Sequence, residues 1–153
     1  MIKRQTGFTL MELMVVIAIV AILSGIAIPN AISWRNNAQV SSAARAVYSD
    51  LQHARSMAVK ENMNCTVSFN TANKTYTITM DNGRELKTAS LSAHGAVTLH
   101  SVDFGGSSDI TFRPTGFPYT ASGALSGGVV EIRGATNKRV VLTAAGSVRI
   151  ETI

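Results

Sequence analysis

Hydrophobic residues fill the N-terminal part of the chain almost without interruption. From Phe8 to Ile28 the only charged residue is Glu12, and the next charge is Arg35. A helix of about 20 residues crosses a bilayer, so this run is long enough to do so. Pro29 weakens or kinks the helix near the end of the run, because it lacks the N–H that bonds four residues back, but it need not end the helix.

A helical period continues after Pro29, now with one apolar face. The apolar residues recur at intervals of four and three in a single stripe, formed by Val40, Ala44, Val47, Leu51, Ala54 and Ala58. Arg45 and Arg55 lie off this stripe. The spacing predicts an amphipathic helix that ends near Asn62. One helix from Phe8 to Asn62 would be on the order of 80 Å long.

Past Asn62 apolar and polar residues alternate, as is typical of strands. The runs CTVSF and TYTITM, joined by NTANK, predict a β-hairpin with Cys65, Val67 and Phe69 on one face. Five more runs predict strands: AVTLHSV, DITF, VVEIR, RVVLT and SVRIE. The segment Arg113–Gly128 has no periodicity and predicts a loop.

Together these patterns predict an α+β fold. One long N-terminal helix, transmembrane in its first half and amphipathic in its second, packs on an antiparallel sheet of six to eight short strands.

Charge adds the orientation of the apolar helix. The chain has 14 basic and 9 acidic residues, a net charge of +5, but Lys3 and Arg4 precede the apolar run. Positive residues on that side predict a cytoplasmic N-terminus, with the remainder of the chain outside the cytoplasm. Without those two residues the net charge is 12 − 9 = +3, too small to indicate nucleic acid binding by itself.

The residue types do not suggest an enzyme. Cys65 is the only cysteine, which excludes an intrachain disulfide and a cysteine-based zinc site and predicts a small strand residue. His53, His94 and His100 lack metal-ligand spacing, and no phosphate-binding loop or nucleophile elbow is present. We expect no catalytic residues, no metal and no cofactor.

Glu12 needs a specific explanation, since a charge near the bilayer centre costs about 2.5–3.5 kcal/mol. A removable signal peptide is one alternative, because Gly25-Ile26-Ala27 offers a small-x-small cleavage site. Two features oppose it: Glu12 itself, and the helical period that continues through Pro29. A plain signal anchor is the other alternative.

The segment KRQTGFTLMELMVVIAIVAIL resembles the N-terminus of type IV pilins and of the pseudopilins of type II secretion. The shared features are a basic leader ending in Gly7, then Phe8, Glu12 and a long apolar helix. The resemblance implies that a prepilin peptidase cuts between Gly7 and Phe8 and methylates the new N-terminus at Phe8. Glu12 then becomes the fifth residue of the mature chain and a contact for assembly. Pro29 matches a proline common in these helices.

The resemblance also implies a division of the chain into four parts. Residues 1–7 are a prepilin leader, residues 8–29 a transmembrane and assembly helix, residues 30–62 the amphipathic helix of the globular domain, and residues 63–153 the antiparallel β domain. The protein would lie in a bacterial inner membrane in a single pass, with its β domain in the periplasm.

A second resemblance covers most of Ile110–Ile153. The motifs ITFRPTGFP and NKRVVLTAAGSVRIETI are similar to those of GspH/FimT-like minor pseudopilins and minor pilins. This implies a minor subunit at the tip of a type II secretion pseudopilus or a type IV pilus. Its partners would be the prepilin peptidase, other major and minor pilins or pseudopilins, the inner-membrane assembly platform and the lipid bilayer.

Two other functions remain open. Some FimT-like minor pilins bind DNA through an arginine-rich C-terminal hairpin, and here the corresponding candidates are Lys138, Arg139 and Arg149. In GSVR, Ser147 replaces the first arginine of the DNA-binding pattern, and nearby glutamates dilute the positive charge. The other alternative is a signal-anchored periplasmic binding domain.

Overall fold

A computed structural model describes residues 8–153. The leader prediction for residues 1–7, including Gly7, lies outside the described residues. The chain divides into two compact units, with the boundary between Arg35 and Asn36. Helix α1, Leu10–Glu61, contains Pro29 within its length and continues through it.

Local hydrogen bonds define both ends of α1. Thr9 caps the N-terminus: its Oγ1 accepts the Glu12 N–H at 3.2 Å, and its carbonyl accepts the Leu13 N–H at 3.2 Å. The sequence Thr-x-x-Glu is the capping-box pattern. At the other end Asn62 adopts a left-handed φ of 53°, and the Met63 N–H reaches back to the Ala58 carbonyl at 3.2 Å. This reverse turn satisfies a carbonyl of the last helical turn and ends α1 close to the predicted position.

The second unit contains the rest of α1 and two antiparallel sheets. Residues 8–153 form nine strands: β1 Cys65–Asn70, β2 Thr75–Met80, β3 Glu85–Ser90, β4 Thr98–Asp103, β5 Asp109–Phe112, β6 Pro118–Tyr119, β7 Gly128–Arg133, β8 Asn137–Leu142 and β9 Val148–Thr152. A short 3-10 helix, Leu91–His94, follows β3. One sheet has the order β3-β2-β1-β5-β6, and the other has the order β4-β7-β8-β9.

The long helix and the antiparallel strands are confirmed, but the predicted single sheet of six to eight strands is wrong. Strand β3 was missed because its sequence, ELKTAS, is largely exposed and lacks a run of large apolar residues. Strand β6 was missed because it has only two residues and lies inside the predicted loop Arg113–Gly128. Pairing with β5, six to eight residues earlier in the chain, makes this segment a strand, and two residues are too few to show an alternation in the sequence.

The predicted apolar stripe forms the helical side of the core. All six of its residues, Val40 to Ala58, are buried, and Ala43 is buried beside them. The β1–β2 hairpin is also as predicted, because Phe69 pairs with Tyr76 and the alternate residues face inwards. Large buried side chains of the second unit complete one apolar core, including Phe112 in β5 and Phe104, which directly follows β4.

Four turns in this unit share one backbone geometry. In each, the first residue's N–H donates to the fifth residue's carbonyl, and the fourth residue, a glycine, donates its N–H to the first residue's carbonyl. The four segments are 80–84, 113–117, 120–124 and 143–147, and their glycines have φ angles of 80°, 79°, 81° and 78°. A glycine tolerates this left-handed conformation without a Cβ clash. The predicted loop therefore consists mainly of two tight turns that flank β6.

Candidate functional site

Two of the residues that the sequence singled out, Phe8 and Glu12, lie at the start of α1. Phe8 is 82% exposed, and Glu12 is exposed in the first turn of the helix. Within residues 8–153 no basic side chain forms an ion pair with Glu12. In the described part of a single chain, the carboxylate therefore has no charged partner.

The apolar residues that follow Glu12 are exposed along the first unit. Every large apolar side chain from Leu10 to Ile32 is exposed. Among the described residues, α1 is the one helix that is long and apolar enough to cross a membrane. A soluble protein rarely exposes an apolar surface of this size, so the segment needs a bilayer or other helices to cover it.

Sequence reasoning missed the local role of Glu12. Thr9 and Glu12 have the spacing of a capping box, and the bond from the Glu12 backbone N–H to Thr9 Oγ1 shows that half of this box is formed. The signal was present in the sequence as Thr-x-x-Glu before an apolar run. Glu12 thus has two separable properties: a place in the helix cap and a negative charge at the positive end of the helix.

Asp50 is a second carboxylate that sequence reasoning missed. It lies on the apolar stripe of α1, three residues after Val47, and is 7% exposed. The Tyr76 hydroxyl donates to Asp50 Oδ2 at 2.5 Å, and Lys87 Nζ donates to both carboxylate oxygens at 2.8 and 2.7 Å. Burial, and then the Asp50 carboxylate, raise the pKa of Tyr76, so its hydroxyl remains a donor. This cluster ties α1 to β2 and β3.

We expect Asp50→Ala to lower the free energy of unfolding of a fragment that starts at Arg35 by about 2 kcal/mol, because the buried Tyr76 hydroxyl loses its acceptor. Urea unfolding followed by circular dichroism measures this. The matched control is Asp81→Ala, which removes an exposed carboxylate that accepts one bond from Asn64 at 3.1 Å; its effect should stay within about 0.5 kcal/mol. Equal effects of the two substitutions would contradict a special role for Asp50.

Arg55 joins the two C-terminal motifs. Its Nε donates to the Gly116 carbonyl at 2.9 Å, and its Nη1 donates to the Gly146 carbonyl at 2.9 Å. Gly116 belongs to the RPTGF turn and Gly146 to the TAAGS turn, which are 30 residues apart in the sequence. Hydrogen bonds from a charged donor are stronger than neutral ones. One half-buried guanidinium therefore holds both turns against the last part of α1.

The three DNA-contact candidates do not form one cluster. Arg139 and Arg149 lie on the outer face of the four-stranded sheet, whereas Lys138 alternates to the other face, beside Val140. Arg139 Nη2 lies 2.7 Å from Glu131 Oε1, and Arg149 Nε lies 2.7 Å from Glu151 Oε1. The bond from Arg139 holds the pKa of Glu131 below its ordinary value, so Glu131 stays ionised at neutral pH. Both arginines are thus paired with carboxylates.

We expect a fragment that starts at Arg35 not to shift duplex DNA in a gel at low salt, because phosphates would have to displace Glu131 and Glu151 from the arginines. The double variant Glu131→Gln, Glu151→Gln frees both arginines and should bind weakly, with binding lost as salt rises. A salt-dependent shift by the unmodified fragment would contradict this prediction and favour DNA capture.

The remaining candidate groups take no part in a shared site. Cys65 is buried in β1 as a small core residue, as predicted, and burial raises the pKa of its thiol to about 11. Across residues 8–153 no three His, Cys, Asp or Glu side chains are placed to hold a metal ion.

The fold and the N-terminal sequence define the class of protein. A long N-terminal helix packed on antiparallel sheets is the pilin-like architecture, and a model of the prokaryotic N-terminal methylation motif matches residues 2–28. The family model of the type II transport protein GspH matches residues 43–146, more than half of the chain. The chain therefore belongs to the GspH family, as its sequence motifs implied.

Solved structures agree with this fold. The type IV minor pilin FimU of Pseudomonas aeruginosa is 17% identical, with a TM-score of 0.59, over 75% of this chain and 90% of that one. The minor pseudopilin EpsH of the Vibrio cholerae type 2 secretion system is 13% identical, with a TM-score of 0.60, over 74% of this chain and 97% of that one. At these identities the likeness concerns the fold alone. A comparison with functionally curated proteins gave no significant match.

Members of this family are structural pilin and pseudopilin subunits, not enzymes. The family implies contacts with other pilin-like subunits in a filament. The apolar N-terminal helix and the methylation motif fit anchoring in the inner membrane with an attached globular domain.

Proposed function

We propose that this chain is a minor pseudopilin or minor pilin that is processed between Gly7 and Phe8, methylated at Phe8 and incorporated into a filament through α1. The observation that carries the proposal is the single exposed carboxylate, Glu12, at the start of an exposed apolar helix that matches the methylation motif. The subunit acts as a structural part of the assembly and catalyses no reaction.

Cleavage supplies the partner that Glu12 lacks. Cutting after Gly7 creates a cationic amine at Phe8, and the Glu12 carboxylate of a neighbouring subunit pairs with it. Two unit charges 4 Å apart attract by about 4 kcal/mol at an effective dielectric near 20. A charge at the bilayer centre costs about 2.5–3.5 kcal/mol, and Glu12 lies only four residues after Phe8, so its own cost is smaller than this attraction. The pair therefore favours the docked subunit and sets its axial register in the filament.

The proposed organisation follows from this role. Residues 1–7 are the leader, residues 8–29 the transmembrane and assembly helix, residues 30–62 the amphipathic helix of the globular domain, and residues 63–153 the β domain. Pro29 provides a kink where the helix leaves the apolar run. The N-terminus lies in the cytoplasm and the β domain in the periplasm, because Lys3 and Arg4 precede the span.

The proposed partners are the prepilin peptidase, other major and minor subunits, and the inner-membrane assembly platform. We place the subunit at the tip of a type II secretion pseudopilus or a type IV pilus, where it supports initiation of assembly and hence secretion or pilus formation. The GspH family match supports a minor role.

Photo-crosslinking in cells tests the assembly role. A photoreactive residue at Leu13, an exposed position next to Glu12, should give adducts with other pilin-like subunits when the assembly machinery is present. The same residue at exposed Glu85, in the edge strand β3, is a control for general proximity. The contradicting result is the absence of any adduct between position 13 and another pilin-like subunit. It counts when the chain is in the membrane and the assembly machinery works.

A further inference from the structure

Trp34 is the most conspicuous apolar residue that the proposed function leaves unexplained. It is the only tryptophan of the chain, it lies in the first unit within α1, and it is 76% exposed. Arg35 follows it and is also exposed. A tryptophan combines a large apolar ring with one N–H donor, so it favours a place where one side is apolar and the other is wet.

The distance along α1 places Trp34 at a definite depth. The apolar run that begins at Phe8 reaches Ile28, and Trp34 lies six residues further on, about 9 Å at 1.5 Å per residue. The headgroup layer on each side of the hydrocarbon core is about 5–8 Å thick. If the apolar run fills the hydrocarbon core, the Trp34 backbone lies at the outer edge of the headgroup layer.

The position of Glu12 agrees with the same depth. Glu12 and Trp34 are 22 residues apart, a helical distance of about 33 Å. The hydrocarbon core is about 30 Å thick. A helix with Trp34 in the outer headgroup layer therefore holds the Glu12 carboxylate near the inner surface of the bilayer rather than at its centre.

We propose that Trp34 and Arg35 bind the phospholipid headgroups at the outer surface of the inner membrane. These contacts set the depth of α1 in the bilayer before the subunit enters a filament. The indole ring lies in the headgroup layer, because helical side chains tilt towards the helix N-terminus and here towards the membrane, and its Nε1–H donates to a lipid phosphate or ester oxygen. The Arg35 guanidinium binds phosphate oxygens, for which its planar donor geometry is suited. This inference rests on the proposed membrane anchoring of the helix.

Because Trp34 is the only tryptophan, its fluorescence reports its own depth. The full chain is reconstituted into vesicles of phosphatidylethanolamine and phosphatidylglycerol and recovered by flotation. Lipids brominated near the carbonyl end or near the methyl end of the acyl chain then serve as shallow and deep quenchers, and acrylamide serves as the aqueous quencher. We expect the shallow lipid to quench Trp34 more than the deep lipid does.

Two further positions on the same helix face calibrate the depth. In a Trp34→Phe background, Asn30→Trp and Ala38→Trp each move the tryptophan by one helical turn, and both positions are exposed. The tryptophan introduced by Asn30→Trp should favour the deep quencher relative to Trp34, and the one introduced by Ala38→Trp should favour acrylamide. This order supports the proposal.

The role of Arg35 has its own measurement. Brominated phosphatidylglycerol should quench Trp34 more strongly than brominated phosphatidylcholine labelled at the same depth, and Arg35→Gln should abolish this preference. Arg45→Gln, an exposed arginine further along α1, is the matched control and should retain it. Equal quenching by the two lipids in the unmodified chain overturns the assignment of Arg35.

Other results overturn the proposal in distinguishable ways. A chain that floats with the vesicles, but whose Trp34 is quenched by acrylamide as strongly as the Ala38→Trp variant, leaves the anchoring intact and removes the headgroup contact. A Trp34 signal that ignores brominated lipids and changes with the protein-to-lipid ratio shows that a second copy covers the residue. A chain that does not float contradicts the membrane anchoring itself.

Discussion

Glu12→Gln is expected to abolish most incorporation of the subunit into filaments while leaving membrane insertion and leader cleavage intact. Glutamine keeps the side-chain length and the capping-box pattern but removes the charge. The attraction to the Phe8 amine of a neighbour, about 4 kcal/mol at an effective dielectric near 20, is lost. Sheared filaments, probed for the subunit by immunoblotting and compared with the membrane fraction, measure the effect.

Thr9→Ala is the matched control for Glu12→Gln. It removes the hydroxyl that accepts the Glu12 N–H at 3.2 Å but keeps the carboxylate, at a cost of about 1 kcal/mol of helix stability. We expect this variant to be incorporated almost normally. Normal incorporation of Glu12→Gln, or an equal defect in both variants, would show that the charge of Glu12 is not what docks the subunit.

Gly146→Ala is expected to lower the free energy of unfolding of the fragment that starts at Arg35 by about 3 kcal/mol. The φ angle of Gly146 is 78°, a left-handed conformation that costs a residue with a Cβ about 1 kcal/mol. The new Cβ would also lie 2.7 Å from the Gly116 carbonyl oxygen, and relieving such crowding costs a further ~1–3 kcal/mol. Urea unfolding measures the loss.

Gly83→Ala separates these two causes. Gly83 has a φ of 80° in a turn of the same geometry, but a Cβ there meets nothing within 4 Å. It should therefore cost only about 1 kcal/mol. If both substitutions cost the same, the close approach of the TAAGS and RPTGF turns around Arg55 does not contribute to stability.

The sequence predicted the core best where the spacing of apolar residues reflects which side chains are buried. The stripe from Val40 to Ala58 and the alternation in β1 and β2 predicted which side chains form the core, and these side chains are buried. The end of α1 was also close to its predicted position, because the apolar stripe stops before Asn62.

The sequence was least informative where distant segments meet. The contacts of Arg55 with Gly116 and Gly146 span 61 and 91 residues, and no local pattern indicates them. The division of the strands into two sheets likewise depends on which edges pair, which alternation alone does not specify. Asp50 is different, since its position on the apolar stripe was visible and only its partners Tyr76 and Lys87 were not.

The N-terminal peptide of the membrane-inserted chain, analysed by mass spectrometry in cells that contain the prepilin peptidase, tests the central claim most directly. The proposed function predicts a chain that begins at Phe8 and carries one added methyl group on its amine. In cells without the peptidase, the uncleaved leader should remain in front of Phe8. Retention of Met1 in the presence of the peptidase, or an N-terminus just after Ala27, would contradict the claim and favour a signal anchor or a removable signal peptide.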